Sequence, residues 1–419
     1  MPTTLSEHDR KAYERNIWKS YAFTFLQSFQ LWWPIWVFYL TDERGFSLTQ
    51  VSVLEALFWI VIVVAEVPTG MVADRFGRKV SLMASAACTT VAVLVFGMAT
   101  SYPIVLVSYV AWGMGLTFQS GADSALTFES LKALGRERDY QRIAGVGWGI
   151  FSLGAVCGLL LGAPVAAATN LSTPILISAG ITFASLFVAA AMKEPDLPHG
   201  EQRLAYRTLV TESVRTAWRK PPVRAMLIMA GLLLAAPNAA VVFSQPFLGE
   251  HDVALGMFGV WQAPTRLAGM IASVLAYRVS GAFGFRRTFV GGFIVLGAAY
   301  AMLGGWDSVY AFAGVGIALI ILSMLLPIVV DYLNQRIPNN QRATILSFRQ
   351  LLTSIAIAGI QPVQGLVADH MSLQAMFWAT AAFVFIAVPL ALLYWLRADA
   401  AGEGTSVSPG EAEPAPAGG

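Results

Sequence analysis

The chain of 419 residues is 56% apolar and only 12% charged, about half the charge of an ordinary soluble domain, which excludes a soluble enzyme. With 27 lysines and arginines against 25 aspartates and glutamates, it offers no basic face to a nucleic acid. Cys88 and Cys157 fall inside apolar runs and the four histidines in polar connections, so no disulfide framework, metal centre or other cofactor site is expected.

Crossing a bilayer takes about 20 apolar residues, and twelve such runs are predicted in chain order. A polar cytoplasmic tail, 1–16, precedes runs at 17–40, 48–72, 79–100, 103–129, 143–166 and 173–192. Residues 193–222 form the longest polar interruption and act as a linker, in which 202–220 carries Leu204, Leu209 and Trp218 as the apolar positions of an amphipathic helix or of a solvated linker helix. Runs at 223–247, 256–280, 288–306, 308–334, 343–367 and 373–396 follow, and 398–419 lacks apolar periodicity and is expected to be disordered. This gives an all-α membrane protein of two six-helix bundles, 17–192 and 223–397.

If both termini are cytoplasmic, 24 of the 27 lysines and arginines lie on that side, with only Arg44 outside and Arg266 and Arg349 within runs. That asymmetry is the positive-inside pattern of a plasma-membrane protein with an even number of crossings. An internal repeat supports the halving. Phe76-Gly77 with Arg78-Lys79 recurs as Phe283-Gly284 with Arg286-Arg287, and Gln141-Arg142 recurs as Gln341-Arg342, each pair at the same place in its half.

After the second run the sequence Gly70-Met-Val-Ala-Asp74-Arg75-Phe-Gly77-Arg78-Lys79 fits G-x-x-x-D-R-x-G-R-[RK] at every fixed position. Here the chain resembles the major facilitator superfamily, and the twelve runs and central linker extend the resemblance over nearly its whole length. The resemblance implies a cytoplasmic gate, in which Gly70 allows close helix approach, Gly77 a tight turn, and Asp123 or Glu129 pairs with Arg75 or Arg78. The fifth run carries Gly145, Gly154, Gly158 and Gly162 in the spacing of the drug:proton antiporter branch, with Leu159 and Ala163 where that pattern has proline and glycine. Close helix packing accounts for the same glycines. In the fourth run Tyr109 stands four residues before Gly113, where drug and proton antiporters commonly have an arginine, so any proton must be carried elsewhere.

Ionisable groups at membrane depth are functional candidates by default. Glu55 and Glu66 are eleven residues apart, roughly 1100° of helical rotation, and so share a face to within about 20°. With Asp331 and Arg349 they are the candidates for proton coupling, Glu55 being expected to be hydrated near the outer surface and Glu66 to meet Arg349 across the halves, the competing expectation being a fixed Asp331–Arg349 bridge within the second half. Arg266 needs an anionic partner, either a substrate carboxylate or phosphate or a group on another helix. Gln30, Trp32, Trp33, Asn238, Trp261, Gln262 and Gln361 complete the candidate lining of a substrate cavity, with Trp36 expected in a membrane-interface belt.

With no phosphate-binding loop and no room for a nucleotide-binding domain, the energy must come from a gradient. The expected function is therefore proton-coupled efflux of amphiphilic small molecules by a monomer, with metabolite import or facilitation by the same fold as the alternative. No cluster of catalytic groups at one depth supports an enzyme.

Overall fold

The computed structural model describes residues 6–195, 214, 215, 217–337 and 341–403. Twelve helical units alternate in direction: α1 (Glu7–Ser28, resumed at Trp36–Phe38), α2 (Leu48–Phe76), α3 (Arg78–Met98), α4 (Tyr102–Gln119, continued by Ala122–Ala133), α5 (Tyr140–Ala168) and α6 (Ser172–Ala191) in the first half. The second half comprises α7 (Pro221–Ala235, continued by Asn238–Val242 and Ser244–Glu250), α8 (Phe258–Phe283), α9 (Phe285–Gly305), α10 (Ala313–Arg336), α11 (Arg342–His370) and α12 (Leu373–Glu403). Ten units are long and apolar enough to cross a membrane on length and composition alone. The other two are α1, which is broken, and α8, which carries Gln262, Arg266 and Arg278. The first and last described residues, Ser6 and Glu403, lie on one face, called here the terminal face, and the opposite one is the distal face.

Several boundaries differ from the sequence expectation for identifiable reasons. Helix α1 begins at Glu7, not at 17, because Ser6 caps it by accepting from the Asp9 N–H and Glu7 pairs with Lys11 one turn on. Lys193 also pairs with Asp9 and, with the Ser6 hydroxyl, holds its carboxyl below the usual carboxylate range. That contribution is lost as pH falls through the lowered value. Helix α12 runs to Glu403, past the expected end at 397. Asp399 is the cause: it is 4% exposed and accepts from the Tyr332 hydroxyl at 2.6 Å, Arg286 at 3.2 Å and Arg336 at 3.3 Å. Leu204 and Leu209 of the expected amphipathic helix lie outside the described residues, as does 404–419; Trp218 is described, with its ring edge-on to Phe348.

The sequence repeat is also a backbone repeat. Gly77 between α2 and α3 has φ +97° and Gly284 between α8 and α9 has φ +77°, a region that other L-residues rarely adopt. The first helix of each half is interrupted too, α1 after Ser28 and α7 after Ala235.

The halves meet at the distal face. Helix α2 packs on α11 and α5 on α8. Gln245 accepts from the Val37 N–H at 2.8 Å and donates to the Trp33 carbonyl at 2.9 Å. Gln262 donates to the Pro34 carbonyl at 3.0 Å, and Asp369 accepts from the Leu48 and Thr49 N–H groups at 2.9 and 2.7 Å. Among the described residues no hydrogen bond or ion pair joins the halves at the terminal face, and Val64, Glu66, Val67, Pro68 and Gly70 in the terminal half of α2 are exposed, so the described helices meet distally and leave a cleft between them on the terminal side.

Candidate functional site

At the closed end of the cleft lies the interrupted segment of α1. Pro34 has no N–H to continue the helix, and the freed groups find other partners: the Leu31 N–H donates to Ser178 on α6 at 2.9 Å. Trp33 is half-buried and stacks on Trp32 at 4.9 Å, and on the cleft side the Arg266 guanidinium stands 5.8 Å from its ring centre. Arg266 is exposed, and no acidic side chain pairs with it among the described residues. The other proposed lining residues are spent on internal contacts. Gln30 is 4% exposed and bonds the Gln27 carbonyl and the Trp32 indole; Trp32 belongs to the interior of the first half; Trp261 packs edge-on against Phe312; Asn238 and Gln361 bond each other at 2.5 Å. Trp36 is 3% exposed, so it belongs to the core and not to an interface belt. Behind Trp32, a small apolar niche is walled by Ala92, Val93, Phe96, Ser108, Tyr109 and Trp112.

A second group of polar side chains follows the α2–α11 contact. Gly365 of α11 packs against Ser52 and Thr49 of α2, which fixes the antiparallel register. One turn from there toward the terminal face, Gln361 comes level with Glu55. Glu55, expected to be hydrated from its position near a helix end, is 8% exposed and has no hydrogen-bond or ion-pair partner among the described residues. It lies within electrostatic reach of the Tyr109 phenol of α4. The Ser52 hydroxyl, Trp59 indole N–H, Gln361 amide N–H and Ser354 hydroxyl are likewise buried without partners. Ser354 and Gly365 are eleven residues apart, so both face α2. Buried polar groups of this kind are ordinarily satisfied, and a line of them along the contact between the halves is the seam that the sequence reading missed, because serines in an apolar run look like packing residues.

Glu66 is exposed to the cleft beside Ser120. It does not touch Arg349, which is 8% exposed and donates to Gln350 at 3.1 Å, with its Nε unpartnered. Arg349 is sixteen residues from Gly365, about 160° round α11, so it faces its own half, and meeting Glu66 would require α11 to turn. Asp331 is exposed and accepts from Gln335 at 2.8 Å, leaving no Asp331–Arg349 bridge.

At the expected gate Arg78 binds Asp74 at 2.6 Å and lies 3.6 Å from Glu129. Asp123 takes no part: it accepts from Ser20 and Thr24 at 2.7 and 3.3 Å and so fastens α4 to α1. Arg75 lies over the Phe76 ring. The principal anchor is Glu194, whose carboxylate accepts from the Arg78 and Lys79 N–H groups at 2.6 and 2.7 Å and caps the positive end of α3. An acid immediately before Pro195 at the end of the sixth run was the available signal. Gly70 has nothing within 4 Å of where a Cβ would stand, so the close approach expected of it is absent in this conformation. The Asp74–Arg78 pair is too exposed to contribute more than about 1 kcal/mol. Asp74→Asn should therefore leave thermal stability nearly unchanged yet slow transport of every cargo several-fold; a change in cargo preference with rates intact would exclude a gating role.

Along α5, Gly154, Gly158 and Gly162 receive the α1 backbone. A Cβ at Gly158 would stand 2.6 Å from the Gln30 carbonyl oxygen, and Cβ atoms at Gly154 and Gly162 would collide with Ser28 and Leu31. Gly145 has open space around it.

A family model described as Major Facilitator Superfamily matches residues 20–280 and 255–417. The uncharacterized MFS-type transporter YxaM of Bacillus subtilis (strain 168) is 23% identical over 382 residues, 85% of this chain and 90% of that protein. Among solved structures, the nucleoside transporter NupG has a TM-score of 0.76 at 11% identity, covering 91% of this chain and 99% of its own. The D-xylose-proton symporter has 0.69 at 14%, covering 91% and 97%. The chain belongs to the Major Facilitator Superfamily.

Proposed function

We propose that this transporter couples movement of an amphiphilic small molecule to protons and works as an exporter, with its termini and linker in the cytoplasm of a cell whose plasma membrane it spans as a monomer. The observation that supports coupling is the polar seam at the α2–α11 contact. It holds Glu55, a buried carboxyl without a partner, on the same face of α2 as Glu66, which stands in the open cleft. An ionised carboxylate shut into such a place is costly, and a proton removes the charge, so occupancy by a proton and closure of the seam are linked.

The test is transport by liposomes holding the protein, with inside-acid and inside-alkaline gradients applied to lipophilic dyes and organic anions. Export by exchange requires dye movement up a gradient when protons run the other way; dye movement indifferent to pH sinks the coupling. A second reading, import with the proton, is supported by the likeness to a protein described as a D-xylose-proton symporter and by Tyr109 in place of an antiporter arginine. Accumulation in the direction of proton flow selects it.

Orientation has its own test. In a chain with Cys88 and Cys157 replaced by serine, Asp307→Cys and Ser372→Cys should react with an impermeant thiol reagent added to intact cells, and Glu137→Cys only after lysis. The reverse pattern would invert the assignment.

A further inference from the structure

We infer that the cargo carries a carboxylate or comparable anionic group on an aromatic or compact apolar body, and that Arg266 with the Trp33 ring is its recognition site. This rests on the transporter reading and adds the chemical class that it leaves open.

Glu55 and Arg266 both lack an ion-pair partner among the described residues, but they differ in what can relieve them. A carboxyl can shed its charge by taking a proton, whereas a guanidinium keeps its charge under all physiological conditions. Arg266 therefore needs either water or an anion. Helix α8 has no acidic residue between Phe258 and Phe283. The α1 segment facing it, from Phe29 to Leu40, has none either.

The local geometry suits an incoming anion. Gln262, one turn before Arg266 on the same side of α8, is held by the Pro34 carbonyl at the distal closure. Arg266 thus sits about one turn below the closed end, at the head of a cleft open to the terminal side. Its only partner among the described residues is the Trp33 ring. At 5.8 Å from the ring centre the guanidinium is within cation–π range, and no side chain hydrogen-bonds it among the described residues, so its N–H groups are free to take a carboxylate through two parallel hydrogen bonds.

Trp33 in turn stacks on Trp32, Trp112 stands edge-on to both, and Phe58 stacks on Trp112 at 4.3 Å. This wall leads to the small apolar niche behind Trp32, so the surface adjoining Arg266 is aromatic and suits a ring or a compact apolar body.

Three probes that share one ring system separate the possibilities: 1-naphthoate, its neutral amide, and the corresponding naphthylmethylammonium. Binding is measured calorimetrically on the protein in lipid nanodiscs. The wild-type chain should prefer naphthoate to the amide by at least about tenfold, the range of a charge-assisted pair, and bind the ammonium compound more weakly still. Arg266→Gln should weaken naphthoate binding far more than amide binding and so remove the preference, and Arg266→Lys should restore part of it. Equal binding of naphthoate and amide by the wild-type chain, or a preference for the ammonium, overturns the inference even if Arg266→Gln does not fold. Because binding is read without a gradient, a chain that binds naphthoate through Arg266 and moves nothing across liposomes would defeat the transport reading and leave this one standing.

Discussion

Glu55→Gln should abolish proton-driven accumulation, by at least about 100-fold, while cargo exchange without a gradient continues. The factor corresponds to the upper end of coupling energies between two sites on one protein, near 3 kcal/mol. Glutamine has the shape of a protonated glutamate, so it fills the same space among Ser52, Trp59 and Gln361 without ever carrying charge. The seam can then close whether or not a proton is available, and cargo movement no longer obliges proton movement. Glu55 is the acid in the seam: the Tyr109 phenol of α4 is within electrostatic reach, and Gln361 is the α11 side chain level with it, Ser354 lying about 10 Å nearer the terminal face by helical rise. The measurement is paired, comparing flux driven by a pH gradient with counterflow at equal pH in the same liposomes. Retained accumulation in Glu55→Gln would transfer coupling to Glu66, whose own glutamine variant then becomes decisive. Glu55→Asp keeps the charge on a shorter arm and should retain coupling at a reduced rate.

Composition and charge made the membrane architecture legible, because apolar runs of bilayer length and the one-sided distribution of basic residues depend on the solvent and not on tertiary detail. The Gly77 turn was equally readable, since its backbone conformation restricts the residue type. Side-chain partnerships were less accessible. Arg78 did find Glu129, but Asp123 turned to Ser20 and Thr24 on α1, a choice fixed by how α4 is rotated. Glu66 and Arg349 agree in depth yet lie on faces that do not meet here, because depth accumulates at 1.5 Å per residue while direction turns by 100°. The break in α1 had one signal, Pro34, set in a run from Leu31 to Trp36 otherwise apolar enough to pass for continuous helix. Its extent became visible only through what packs on it.

Gly158→Ala should be far more damaging than a single added methyl group normally is, and Gly145→Ala in the same helix should be harmless. At Gly158 the new Cβ would stand 2.6 Å from the carbonyl oxygen of Gln30 and 3.0 Å from its carbonyl carbon and amide nitrogen. None of those atoms belongs to a side chain that can swing away, so the α1 segment itself would have to move. That segment is held from the other side by Ser178 at Leu31 and from the second half by Gln245 at Trp33 and Gln262 at Pro34. Overpacking in a well-filled interior typically costs 1–3 kcal/mol, and a backbone obstacle belongs at the upper end, about 3 kcal/mol. The same displacement would carry Trp33 away from Arg266, so loss of stability and loss of the Arg266-dependent preference for naphthoate should appear together. Gly145 has nothing within 4 Å, and alanine there gains helix propensity. Thermal unfolding in detergent followed by tryptophan fluorescence compares the two variants directly. Equal stability of Gly158→Ala and Gly145→Ala would mean that the fifth helix does not receive the α1 backbone, and its glycines would then have to be explained by bending of α5 during transport.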